Sequence, residues 1–590
     1  MTRAECLKQI ADWEQRGELL RAVDCAAQGL ALHPEEKAIA YRLVLCLARA
    51  GATESARRRY QALGLDRDSD EDSAALGARL LKDRALGAGG PERNRLLVEA
   101  AERYEAVHLQ TGGYFPAINS ATLFRLADDA RASSIATRAL QAIANHADGA
   151  ETYYEAVTRA EASLVLGDAD AAHDALKRAS TLDVHARAAR ASTRRQLRML
   201  CRHLGLDDKF LDAIANPPVV HFCGHRVSGT TDDERLPKDS LDAVADDVRR
   251  HLTEAQPCAG YGSLAAGADI LFAETLLEMG AELHVVLPFD EDDFVTESVT
   301  PAGDGWGARF HRCLEGATSV RRITTGPFLG DGTLFRHANS VAMGLTCLRA
   351  SMLDSRPLQM SVWDGKTTGS VVGTEAGIEG WAALGHSQII IDSRSPRLEA
   401  PTLPLSSVSN RSRQFRAIVF GDFDGFSSLP EALVPEFVDR ALGAAAETLR
   451  DFERHVRLRN TWGDGLYIVF DDLVAAGQWA LRLQTRLSQS DWRGELLPTS
   501  LTLRVSCHFG PVFECLDPVV QRPGFFGTEV SKTARIEPVT PEGSVYVTEQ
   551  FAALLALQPR TGLACDYVGT VPTAKGYGDI PLYLLRREGE

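Results

Sequence analysis

Arg416-Ala417-Ile418-Val419-Phe420-Gly421-Asp422-Phe423-Asp424-Gly425-Phe426-Ser427 and, further on, Val456-Arg457-Leu458-Arg459-Asn460-Thr461-Trp462-Gly463-Asp464-Gly465-Leu466-Tyr467-Ile468-Val469-Phe470 decide how the last third of this chain folds. The first stretch is an apolar run that reaches a carboxylate and then a glycine turn, a strand feeding a loop. The second reads as two strands, 456–460 and 465–470, joined by a tight turn at Gly463-Asp464. A helix is expected between the two stretches over 435–455. Gly-Asp in a hairpin is ordinary turn chemistry when it stands alone. Here it follows a strand that ends in another carboxylate, and a strand and a hairpin each presenting one is how a sheet offers two acidic groups to hard divalent cations.

Two later segments complete an ordered pattern: Gly527-Thr528-Glu529-Val530-Ser531-Lys532-Thr533-Ala534-Arg535-Ile536-Glu537, then Lys575-Gly576-Tyr577-Gly578. Together the four motifs resemble the catalytic domain of class III nucleotide cyclases, over essentially all of residues 415–587. The resemblance implies an α+β domain at 414–590. It also implies a reaction, in-line attack of a ribose 3′-hydroxyl on the α-phosphate of a nucleoside triphosphate with loss of pyrophosphate. By the family pattern Asp422, Asp464 and the carbonyl of Phe423 would hold two Mg²⁺ or Mn²⁺ ions, which activate the hydroxyl and bind phosphate oxygens. Arg535 would neutralise charge on the α-phosphate, work that suits a planar guanidinium with five donors. Lys575 would grip the terminal phosphates as a point charge, with Phe426 and Ser427 among the substrate-binding positions. Because the family draws its metal half and its Arg/Lys half from opposite subunits, a head-to-tail homodimer is implied.

This chain departs from the family at three positions. Ser531 stands where the family has a ribose-orienting asparagine. Asn460 and Gly524 stand where adenylate cyclases carry the lysine and aspartate that read adenine, and the glutamate of guanylate cyclases is also missing. An amide offers both a donor and an acceptor, so Asn460 suits uracil, cytosine or one edge of a purine. A pyrimidine substrate, UTP or CTP, is the favoured expectation, with an antiviral signalling role by analogy to bacterial pyrimidine cyclases. The alternatives are an adenylate cyclase using ATP and an inactive, cyclase-like nucleotide-sensing scaffold. Trp462, Phe525 and Phe526 are expected to pack, or else to narrow a base pocket. His508 is expected to be structural.

Residues 1–215 read as helix after helix, rich in Ala, Leu and Arg at three- and four-residue intervals. Gly17 and Gly51 fall at helix turns 34 residues apart, His33-Pro34 stops one unit, and Gly167-Asp168 opens a later one. That period resembles tetratricopeptide repeats, an array that buries its faces by stacking and commonly binds a partner protein.

Residues 217–392 change to strand, glycine loop, helix, strand, the unit of a parallel α/β sheet. Gly260-Tyr261-Gly262-Ser263-Leu264-Ala265-Ala266-Gly267-Ala268-Asp269 and the later Trp363-Asp364-Gly365-Lys366-Thr367-Thr368-Gly369 loop resemble the SLOG superfamily of Rossmann-like domains. The resemblance implies a nucleotide-derived ligand, with Gly262, Ser263, Gly267, Gly369 and Thr374 as the candidate positions, since glycines let the backbone approach an anion at a helix N-terminus. The middle region acting as the main enzyme is disfavoured, for want of a glutamate in a glycine-flanked motif. His221 and His225 have no cysteine or carboxylate at metal-ligand spacing. Residues 393–413, rich in proline and serine, read as a linker.

The fold class expected is therefore multidomain: a helical repeat array, a Rossmann-like parallel sheet, then the α+β cyclase domain. The length of 590 residues fits about three or four domains. With 80 acidic against 64 basic residues and a net charge of −16, a general nucleic-acid or anionic-membrane binder is disfavoured. Eleven scattered cysteines without a CxxC pair suggest buried thiols rather than zinc or disulfides. No signal-peptide core or membrane-length apolar run is read, so the expected location is the cytoplasm.

Overall fold

The computed structural model describes the chain apart from residues 69, 146–148, 183–185, 228–234, 331, 367–372, 395–412, 427–428, 490–501 and 590. The array consists of α1 (Arg3–Arg16), α2 (Leu19–Leu32), α3 (Lys37–Arg49), α4 (Thr53–Ala62), α5 (Glu71–Gly87), α6 (Gly90–Thr111), α7 (Tyr114–Leu126), α8 (Arg131–Asn145), α9 (Tyr153–Leu166), α10 (Ala169–Thr181) and α11 (Arg187–Leu204). Reciprocal capping boxes, Thr2 with Glu5 and Thr152 with Glu155, start α1 and α9 by satisfying orphan N–H groups. Gly17 and Gly51 take left-handed backbone at φ 76° and 85°, the turn that lets one helix fold back on the last. The 34-residue spacing is thus the step from the α1–α2 pair to the α3–α4 pair.

The middle region is a six-stranded parallel sheet in the order β4-β3-β2-β1-β5-β6. Its strands are β1 (Val219–Gly224), β2 (Ala259–Gly262), β3 (Glu282–Leu287), β4 (Ser319–Arg322), β5 (Pro357–Trp363) and β6 (Ser387–Asp392). The helices that accompany them are α12 (Leu241–Ala255), α13 (Ala268–Glu278), α14 (Glu291–Ser298), α15 (Trp306–Gly316), α16 (Thr333–Met352) and α17 (Thr374–Ala383). Strand β1 is buried on both faces, as central parallel strands are. Its Val220 and Phe222 enter one core with α12, α13 and α15, while Val219 enters another with α16.

The C-terminal domain is a mixed sheet in the order β13-β14-β12-β10-β7-β9-β8, with β11 paired to β10. Its elements are β7 (Gln414–Asp424), α18 (Val434–Phe437), α19 (Gly443–Leu449), β8 (Val456–Trp462), β9 (Gly465–Phe470), α20 (Leu473–Ser488), β10 (Thr502–Asp517), β11 (Arg522–Phe526), α21 (Thr528–Ile536), β12 (Val545–Thr548), α22 (Glu549–Leu555), β13 (Leu563–Pro572) and β14 (Asp579–Arg587). The helix expected over 435–455 is not uniform: a π-helical turn at Val438–Leu442 follows α18, and α19 tightens into a 3₁₀ turn at Arg450–His455. The wide turn begins just after Phe437, whose ring is wedged against Phe423 and Phe426 at centroid distances of 5.2 and 4.7 Å. Most of the expected linker, 395–412, lies outside the described residues.

The three parts share a core rather than hanging on tethers. One apolar cluster runs from Val44 in the array through Tyr261 and Leu345 to Phe551 and Ala553 of the last domain. Helix α16 is its axis. Gly344 lies so close to α22 that a Cβ there would collide with the carbonyl of Ala553. Arg321 of β4 makes a two-pronged ion pair with Glu549, with Nη2 at 2.8 Å from Oε1, and Gln550 donates to the carbonyl of Ile323 at 2.9 Å.

Candidate active site

Alternation along β7 puts Ala417, Val419 and Phe423 into the main core and Ile418 and Phe420 into a smaller one beneath α21. Asp422 and Asp424 continue this second face. Antiparallel pairing sets Asp422 directly opposite Gly465 on one side and Arg504 on the other. Asp464, one residue before Gly465, occupies the β8–β9 turn beside Asp422. That turn needs left-handed backbone at Gly463, φ 65°, and the Phe426 ring packs beside it.

Arg504 belongs to the site, and so does Glu537; the sequence motifs had given neither a role. The Arg504 guanidinium donates to Asp422 Oδ2 at 2.8 Å and stands 3.7 Å from Asp424 and 3.4 Å from Glu537. Carboxylate charge exceeds what this one guanidinium balances, and the consequences reach the proton affinities. Burial raises the Asp464 carboxyl, with the Asp422 charge adding to it. Burial, with Asp422 and Asp464 adding to it, pushes Glu537 up to about 7. Buried Glu537 Oε1 has no hydrogen-bond donor. Surplus negative charge, oxygen ligands and an orphaned acceptor suit hard divalent cations such as Mg²⁺ or Mn²⁺.

A second cluster gathers around α21. Ser531 is exposed and Arg535 half-buried on that helix, while Lys575 is exposed in the β13–β14 loop with left-handed backbone, φ 59°. Tyr577 links the two by donating to the carbonyl of Thr528 at 3.4 Å. Asn460 is exposed on β8 opposite Tyr467, and Gly524 lies in β11 opposite Cys515. Phe525 is a core residue whose carbonyl accepts from the Tyr467 hydroxyl at 2.8 Å, whereas Trp462 and Phe526 are exposed. Ser427 lies outside the described residues. His508 is buried, with Nδ1 at 2.8 Å from Thr548 Oγ1 and Nε2 at 2.9 Å from Glu529, a structural arrangement.

In the middle sheet the strand order reverses at β1, where ligands collect in open α/β folds. The candidate glycines there have a packing reason. A Cβ on Gly262 would meet the Phe222 carbonyl at 2.6 Å, and one on Gly267 would meet that of His225 at 2.7 Å. Ser263 follows β2 with a buried hydroxyl that has no hydrogen-bond partner, Thr374 begins α17, and Gly369 lies outside the described residues. His225 meets a carboxylate remote in sequence: Asp364, at the end of β5, stands 3.1 Å from its Nε2, with buried Oδ2 unpartnered. Parallel strands bring their ends together across 139 residues, which no local spacing reveals. His221 is held between Asn339 and Gln359, each at 3.1 Å, as a satisfied core residue.

Among the described residues no helix is long and apolar enough to cross a membrane. Residues 408–587 match the family described as adenylate and guanylate cyclase catalytic domain, and residues 12–124 match tetratricopeptide repeats-sensor. An adenylate cyclase of Schizosaccharomyces pombe is 25% identical over 111 residues, 16% of this chain and 7% of that protein. One of Mycosarcoma maydis is 30% identical over 106 residues, 15% of this chain and 4% of that protein. This chain therefore spans less than a tenth of the length of these curated relatives. A crystal structure of the adenylyl cyclase CyaB from P. aeruginosa aligns with 30% of this chain and 99% of its own at 16% identity, TM-score 0.28. The chain thus carries a sensor-type tetratricopeptide array, then a parallel six-stranded sheet, and its C-terminal region belongs to the class III adenylate/guanylate cyclase catalytic domain family.

Proposed function

We propose that the protein is a nucleotide cyclase that converts a nucleoside triphosphate to a 3′,5′-cyclic nucleoside monophosphate and pyrophosphate. The pairing of Asp422 with Gly465, which brings the Asp464 turn to the end of β7, carries the proposal. Asp422, Asp464 and the Phe423 carbonyl would hold two Mg²⁺ or Mn²⁺ ions. Such ions, when bound, make the ribose hydroxyl a better nucleophile and screen the triphosphate. Arg504, donating to Asp422 Oδ2, would orient that carboxylate. Arg535 stabilises charge at the α-phosphate as the 3′-O–P bond forms and the bond to the β-phosphate breaks. Ser531 orients the ribose, Lys575 holds the terminal phosphates, and Phe426 and Ser427 line the substrate. Exposure of Ser531, Lys575, Trp462 and Phe526 supports a head-to-tail homodimer that joins the acidic half of one subunit to the basic half of its partner.

The substrate proposed is a pyrimidine nucleotide, UTP or CTP, read by Asn460 because no Lys/Asp pair is present to read adenine; ATP is the alternative. Neither the fold nor the comparisons favour an antiviral role, and the proposal is confined to the chemistry. Purified protein with Mn²⁺ and ATP, GTP, CTP or UTP in separate reactions is expected to give a cyclic uridine or cytidine product, absent in Asp464→Ala. Asn460→Ala should then lose base selectivity before it loses turnover. Cyclic AMP as the sole product would refute the pyrimidine assignment, and no product with any triphosphate would favour the inactive scaffold.

The array is proposed to bind a protein partner, and the middle sheet a nucleotide-derived ligand at the β1/β5 crevice. There the unpartnered Asp364 Oδ2 and Ser263 Oγ offer acceptors for ribose hydroxyls. Millimolar ADP-ribose is expected to raise the melting temperature by roughly 2 °C or more, since a ligand at 100 times its Kd adds about 2.7 kcal/mol. Asp364→Asn should remove that shift; an equal shift in the variant would place the ligand elsewhere.

A further inference from the structure

β13 is the outer strand of the cyclase sheet, and outer strands leave backbone groups unpaired. Here helices of the sensor array cover it. The α2 carboxylate of Asp24 reaches a bulge in β13, where register slips between Tyr567 and Gly569. Its oxygens accept from the Thr570 N–H at 2.9 Å, from the Thr570 hydroxyl at 2.8 Å and from the Tyr567 hydroxyl at 2.9–3.0 Å. Gly569 within the bulge has φ 130°. Next along the strand, the first turn of α4 meets Asp566: the Glu54 N–H donates to its carboxylate at 3.1 Å, and Arg586 pairs with it at 2.9 Å.

A bulge bends its strand and re-aims the residues beyond it. Beyond this one runs the loop that carries Lys575, five residues past Thr570. The loop is closed on itself, with the Thr573 N–H and hydroxyl donating to the Gly578 carbonyl at 3.0 and 2.7 Å. It therefore moves as a unit with the end of β13. On the sheet side β14 holds that strand end; on the outer side the hydrogen-bonded anchor is Asp24.

We propose that Asp24 of the sensor array is a positioning residue for Lys575, so that docking of α2 on the β13 bulge sets how well the cyclase domain grips a triphosphate. The role of Lys575 rests on the function proposed above; the mechanical link does not. Release of α2 leaves Thr570 and Tyr567 without their shared acceptor, relaxes the bulge and swings the lysine loop. The array thereby acts on substrate affinity and leaves the metal carboxylates, on the opposite half of the sheet, untouched.

Asp24→Asn in the full chain keeps the shape and removes the charge. Without nucleotide, hydrogen–deuterium exchange is expected to quicken in peptides spanning 567–578 and to stay unchanged in those spanning β7 and the β8–β9 turn. With the triphosphate that turns over, KM should rise roughly tenfold, within the usual range of coupling between sites, with kcat held within about twofold. Thr570→Val should act in the same direction, and Asp24→Glu should restore part of the affinity. In a Lys575→Ala background Asp24→Asn should raise KM no further. A lowered melting temperature with unchanged exchange at 567–578 would reduce Asp24 to interface glue and overturn the proposal. So would a KM effect that persists without Lys575. If no triphosphate is cyclised, the assigned function fails while the exchange measurement still decides the link.

Discussion

Asp422→Asn is expected to lower cyclase turnover by about three orders of magnitude, as loss of a group that stabilises transition-state charge does, while the chain remains folded. The amide keeps the shape of the side chain and its place opposite Gly465 and Arg504. It cannot supply the negative charge that two divalent cations would share in the proposed mechanism, so excess Mn²⁺ should not rescue it. Arg504 keeps Asp424 and Glu537 as partners, and the Asp422 side chain is about a third exposed, so the melting temperature should barely move. Asp464→Asn should cost as much, and the double variant little more, because under the proposed mechanism the two carboxylates would hold the same ions and act as a unit. Steady-state rates of the three variants, with melting curves alongside, make the test. More than a tenth of wild-type turnover in Asp422→Asn would remove this carboxylate from the chemistry.

Why these carboxylates could be recognised in the sequence, and their neighbours could not, lies in how each is placed. Asp422 and Asp464 sit at strand ends and turns whose apolar alternation and glycines are local signals. Arg504 carries no such signal: within an alternating strand it reads as an ordinary solvent-facing residue, and only its register with Asp422 reveals its role. Glu537 was in view at the end of the Gly527 motif, but its burial against Arg504 comes from the packing of α21 on the sheet. Asp24 looks like one more polar residue of a repeat helix until α2 is laid on β13.

The middle sheet holds a different ambiguity. A glycine needed for close backbone packing and one that admits a phosphate look identical in sequence, and Gly262 and Gly267 have Phe222 and His225 as their reason. The His225–Asp364 pair follows two strands, β1 and β5, of which only the first was read from the sequence. Adjacency of β1 and β5 was the missing fact. Burial of α16 against three parts at once was equally invisible, because each part taken alone would leave that helix half exposed.

Arg349→Met puts the largest strain on this shared core and is expected to destabilise the chain by about 3–5 kcal/mol, the usual effect of stripping one partner from a buried ion pair. Arg349, from α16, stands 2.6 Å from Glu18 of the array and 3.1 Å from Glu282 of β3, and also donates to the carbonyl of Gly17. All three charged side chains are nearly inaccessible to water. His284 lies 3.6–3.8 Å from both carboxylates, and burial pulls it down to about 3, so in the native chain it adds no positive charge to offset them. Methionine fills much of the same space, so the loss is electrostatic rather than a cavity.

The effect should also depend on pH in a definite direction. Burial already raises Glu18 above its ordinary carboxylate value, against the pull of Arg349. Without Arg349 it rises further, so the folded state binds a proton that the unfolded state releases. Stability of the variant must then fall as pH climbs through the folded value of Glu18, and recover on acidification toward the ordinary carboxylate range. Urea midpoints for wild type and Arg349→Met at about pH 8 and about pH 5.5 measure this, and the gap should narrow at the lower pH. An equal gap at both pH values would mean that removing Arg349 does not change how many protons Glu18 binds in the folded state over this range.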